Sequence, residues 1–147
     1  MVCGIAWLAV GFLVYLVARP RTVAAFPALT PDPIVLLPNQ LRWLLGPVPT
    51  FVHVLAFSMM SASLVGATRR IRLFLCGAWA AVEIGFEAAQ HPAFRQWLPQ
   101  HSAAMSPISY VQSYLVAGTF DSSDILAAIL GAACAALLLT PRKRRSP

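Results

Sequence analysis

Four apolar runs set the pattern of this chain. They are "VCGIAWLAVGFLVYLVA" over 2–18, "TFVHVLAFSMMSASLVGAT" over 50–68, "LFLCGAWAAVEIGFEAAQ" over 73–90 and "DILAAILGAACAALLLT" over 124–140. Arginine or proline closes each: Arg19-Pro20, Arg69, His91-Pro92 and Pro141. At 1.5 Å per residue, a helix of this length covers about 25–29 Å, close to the thickness of a bilayer's hydrocarbon core. No sustained alternation of apolar and polar residues suggests a β-barrel. The pattern predicts an all-α fold: a polytopic membrane protein, a four-transmembrane-helix bundle forming a single domain. No Lys or Arg precedes residues 2–18 and no clear cleavage site follows them. They read as a retained span, not as a signal peptide.

The polar intervals complete the picture. Prolines at 20, 27, 31, 33, 38, 47 and 49 exclude a long helix from 19–49. Within that loop "NQLRWLL" (39–45) predicts a short interfacial turn, with Asn39 as cap and Trp43 at headgroup depth. In the second loop, 91–123, "SPISYVQSYLVAG" (106–118) predicts a helix along the surface: Ser106 caps it, Pro107 starts it and Gly118 stops it.

Composition and charge then restrict the class. Charged residues are 11% of the 147 and hydrophobic ones 59%, far from the roughly 25% charged of soluble domains. The net charge of +6 does not mark a nucleic-acid partner, because the basic residues flank apolar runs instead of forming a face. Seven of the eleven, Arg69, Arg70, Arg72, Arg142, Lys143, Arg144 and Arg145, belong to one side; Arg19, Arg21, Arg42 and Arg95 belong to the other. The positive-inside rule then places both termini, including the basic tail 141–147, in the cytoplasm. All five acidic residues and all three histidines fall in the outer half or the outer loops.

The outer half therefore holds the candidate chemistry. A carboxylate at a helix centre in hydrocarbon costs on the order of 3 kcal/mol by insertion scales, and span three carries two. Glu83, Glu87 and Gln90 fall within about 60° of one another on a helix, opposite a row of small residues, Gly77, Ala81, Gly85 and Ala89. The small row is expected to admit another helix closely, leaving the polar face to line a site. Asp121 and Asp124 open span four, above a second small row, Ala128, Gly131 and Ala135. Asp121 reads equally as a helix N-cap. His53 sits one turn inside span two, where a packing role is the more ordinary one. Cys3, Cys76 and Cys134 lie in apolar stretches with no metal or disulfide spacing.

A histidine near the start of one span, "EAAQ" near the end of the next and "GTFDSSDILAAILGA" opening an Ala/Gly-rich last span together resemble the VanZ-like family of small bacterial membrane proteins. The likeness covers roughly residues 50–140 and is carried by His53, Glu87, Gln90, Asp121 and Asp124. Its departures are Ala127 and Ala128, where family members commonly carry Asn, and a longer stretch between Gln90 and Gly118. The resemblance implies a bacterial inner-membrane protein with an envelope role, but supplies no reaction. The first expectation is an outward-facing polar site for an envelope lipid or glycolipid headgroup, built from His53, Glu83, Glu87, Gln90, Asp121 and Asp124, with Glu87 favoured over Glu83. A hydroxyl-rich sugar, or a divalent cation bridging to phosphate, would suit its carboxylates. The second is a non-catalytic accessory subunit whose polar groups bond helices within a larger membrane complex. A catalytic role ranks lower because no nucleophile motif is present, and no cofactor is expected. The expected partners are membrane lipids and, under the second expectation, other membrane-protein subunits.

Overall fold

A computed structural model describes residues 2–18, 38–66, 68–97, 111, 115–116 and 118–140, and every regular element among them is helical. The long helices are α1 (Val2–Ala18), α3 (Val48–Val65), α4 (Arg69–Gln90) and α6 (Ser122–Leu139), joined by the short α2 (Asn39–Leu45) and α5 (Pro92–Arg95). The four apolar runs and the short 39–45 helix are thus where the pattern predicts them. The surface helix expected over 106–118 lies largely outside the described residues, as do most of both outer loops and the basic tail.

Two boundaries differ. Gly66, at φ +59°, ends α3 in the left-handed conformation that glycine adopts without a Cβ penalty. Thr68 then caps α4, its hydroxyl accepting the Ile71 N–H at 3.5 Å. Arg69, Arg70 and Arg72 are consequently the first turn of α4, which begins four residues before the apolar run at Leu73. Arg72 has a tertiary role as well, its Nη1 donating to the Leu139 carbonyl at 2.7 Å and capping the last turn of α6. Arg72→Ala removes that bond and should cost about 1 kcal/mol in thermal unfolding, whereas Arg70→Ala should be near neutral.

The helices pack around α3. Helices α3, α4 and α6 each contact the other two, while α1 lies along α3 and makes no comparable packing with α4 or α6. Three rows on α3 meet these neighbours. Val52, Ala56 and Met60 face α1, where Gly4 and Gly11 let the backbones close in. Phe51 and Val54 face Gly131 of α6, and His53 and Phe57 face α4. The row Ala128, Gly131 and Ala135 is buried, as its small residues lead one to expect.

Size is distributed in the reverse of a soluble protein. The interior is largely small: Ala56, Ser58, Ala62, Cys76, Ala80, Ala127, Ala128 and Ala135 around Leu55, Val52 and Val54. Large apolar residues such as Leu13, Leu64, Phe74, Leu126 and Leu137 are exposed. Small interiors with apolar exteriors suit lipid, where burial of large side chains between helices has no hydrophobic driving force. Two helical segments, Trp43–Val65 and Ser122–Leu139, are long and apolar enough to cross a membrane; the apolar stretch Cys3–Leu16 is shorter, and α4 is not among them. The composition of these helices and their exterior point to membrane association.

Candidate functional site

The small-residue row on α4 faces the opposite way from the expected one. A Cβ at Gly77 or Gly85 would meet nothing within 4 Å, and Ala81 is exposed. The polar row packs instead, with Glu87 and Gln90 buried against the start of α6. The physical reason is that carboxylates and amides need partners in an apolar surround, whereas glycine and alanine can face hydrocarbon at little cost. Both rows were plausible packing faces in sequence, and polarity decides between them.

The six expected site residues divide into two groups on successive turns of α4. In the first group, at the C-terminal end of α4, Glu87 Oε2 accepts the backbone N–H of Asp121 at 3.1 Å. Gln90 lies so close to Gly118 that any Cβ there would strike its carboxamide. Asp121 caps α6, its Oδ1 accepting both the Ser123 N–H at 2.8 Å and the Ser123 hydroxyl at 2.7 Å. Asp124 is buried in the first turn, at 3% exposure, and its backbone N–H donates to the Asp121 carbonyl. These residues form a joint that seats residues 118–121 on the C-terminal end of α4.

Sequence reasoning missed His91 and Gly118 as parts of that joint. His91 Nδ1 accepts the Ala93 N–H at 3.3 Å and starts α5, while its ring meets Phe120 edge-on at 4.9 Å. Pro92 at the first helical position was the signal for α5. Nothing local announces that Gly118 leaves room for Gln90.

The second group is more open. His53 Nδ1 stands 3.7 Å from Glu83 Oε1, with the two side chains 44% and 23% exposed. The separation falls within ion-pair range but is too long for a hydrogen bond. Below them the α3–α4 seam continues as a stack of Phe57 on Trp79, centroids 4.8 Å apart, and Trp79 Nε1 donates to Ser61 Oγ at 3.0 Å. The histidine ring lies 5.9 Å from Phe57. His53 begins about 8 Å along α3 from Val48, at 1.5 Å per residue. A polar, partly open pair therefore sits beside an aromatic stack, and α4 also exposes Phe74, Val82 and Phe86.

Among the described residues, no three His, Cys, Asp or Glu side chains converge as a metal-ligand set. No family model, no curated protein and no solved structure matches this chain, which leaves its motifs and this geometry to carry the functional reading.

Proposed function

We propose that the chain is a VanZ-like, four-span protein of the bacterial inner membrane, with both termini cytoplasmic, whose outward-facing polar site engages an envelope lipid or glycolipid headgroup. The observation that carries this reading is the half-open His53–Glu83 pair on an apolar exterior. An ionisable pair at that depth is expensive unless something polar meets it. Glu83 takes precedence over Glu87 in this site, because the Glu87 carboxylate already holds the Asp121 backbone. The "EAAQ" and "GTFDSSD" motifs then act as the joint that shapes the outer end, and His53 and Glu83 as the contact.

Two measurements test this. Reporter fusions after Thr140 and at residue 67 should both read as cytoplasmic; an external reading at either overturns the four-span topology. Gentle extraction followed by native mass spectrometry should find the chain with a retained polar lipid, and Glu83→Gln should release it with the fold intact. Loss of the fold in place of the lipid would make Glu83 structural and sink the site.

One observation favours the second reading, an accessory subunit. The open face of α4 at Gly77, Ala81 and Gly85 has the spacing at which membrane helices approach closely. Under that reading Gly77→Leu and Gly85→Leu leave the isolated chain folded but abolish its migration with a large complex.

A further inference from the structure

Resting on the headgroup reading above, we infer that the His53–Glu83 pair takes an uncharged, hydroxyl-rich headgroup, that of a glycolipid, admitted sideways from the bilayer between α1 and α4. Three observations lead there.

The first is the chemistry of the pair. An imidazole and a carboxylate side by side offer hydrogen-bonding positions of opposite sense, and a hydroxyl group both donates and accepts. At 3.7 Å the two do not saturate one another. A sugar hydroxyl placed between them donates to Glu83 and accepts from the imidazole N–H.

The second is the charge around it. The arginine side chains described for α4 are Arg69, Arg70 and Arg72, at its far end. Arg72 is eleven residues from Glu83, about 16 Å along the helix. A phosphate beside Glu83 would meet a like charge that these three arginines are too distant to offset, whereas a neutral polyol would not.

The third is access. On α3 the His53–Phe57 row, which meets Glu83 and Trp79 of α4, lies beside the row facing α1 (Val52, Ala56 and Met60). Because α1 packs along α3 without comparable packing on α4, the row opens sideways between them. That accounts for a histidine at 44% exposure beside an interior that excludes Val52 and Val54 from solvent almost entirely. Phe57 and Trp79 form an apolar floor for the C–H face of a sugar or the first methylenes of an acyl chain, in the usual pattern of an apolar cleft with few polar groups.

The test reconstitutes the full chain in nanodiscs with equal amounts of diglucosyl diacylglycerol, phosphatidylglycerol and phosphatidylethanolamine, and reads the retained lipid by native mass spectrometry. The expected result is glycolipid enriched about tenfold over either phospholipid, and that enrichment lost in Glu83→Gln and, separately, in His53→Phe, since one such hydrogen bond is worth about that factor. Thermal unfolding of both variants checks that they remain folded, and two substitutions on different helices keep the result readable if one does not. Selective retention of a phospholipid, still lost in the variants, overturns the neutral headgroup while the headgroup site stands. Retention without selectivity, or indifferent to both variants, overturns the inference and the reading beneath it. Free disaccharide competing as strongly as the glycolipid overturns sideways admission from the bilayer.

Discussion

Gly131→Val should be the most damaging single substitution in the chain. A Cβ at this position would stand 2.6 Å from the Phe51 carbonyl oxygen and 3.2 Å from the Val54 Cβ. The first of these atoms is backbone in the first turn of α3 and cannot swing aside, so α3 and α6 must separate. Overpacking of this kind costs about 1–3 kcal/mol, and a β-branched side chain against a backbone oxygen belongs at the upper end. Thermal unfolding in detergent should fall accordingly, with Gly131→Ala intermediate. Gly85→Ala provides the contrast: it meets open space and adds helix propensity, so it should hold or slightly raise stability. Equal losses at positions 85 and 131 would refute the orientation of α4 described above.

Glu87→Ala is expected to rank second, and its signature is local. The substitution removes the acceptor of the Asp121 N–H and leaves that donor at a crowded helix end, a change worth about 1–3 kcal/mol. Hydrogen exchange at Asp121 should quicken first, with the α3–α4 seam at Trp79 unaffected. Glu87→Gln retains a carbonyl oxygen at the same reach and should lose less than half as much. If Gln proves as harmful as Ala, then the charge matters more than the bond, and Glu87 returns to the ligand site. The pair of variants thus separates a hinge-holding carboxylate from a ligand-holding one.

Much of the fold was legible because its punctuation is chemical. Proline, arginine and glycine close the apolar runs, and helix α1 fills 2–18 while α4 ends at Gln90. The start of α4 lies earlier than the apolar run for the same reason: basic residues mark the edge of an apolar run even when, as with Arg69, they are helical. The residues of the site were legible too, since a carboxylate in an apolar helix needs a reason. Their partners were not. Glu87 binds a backbone N–H, and every residue but proline offers one, so no pattern marks Asp121 as the donor. The facing of α4 could not be read for a different reason, because small residues and polar residues are both ways of meeting another helix.

The bond from Glu87 to Asp121 also bears on biosynthesis. Its two ends lie 34 residues apart, and the donor stands at the start of α6, which is made after α4. In the four-span topology α4 leaves the ribosome with two carboxylates and no α6 to receive them. It is the long helix least able to enter lipid unaided, so it should partition as a hairpin with α3 and wait at the translocon. Truncation before residue 118 should then leave α4 poorly inserted while α3 stays in place. In that topology, the insertion of α4 awaits the synthesis of α6.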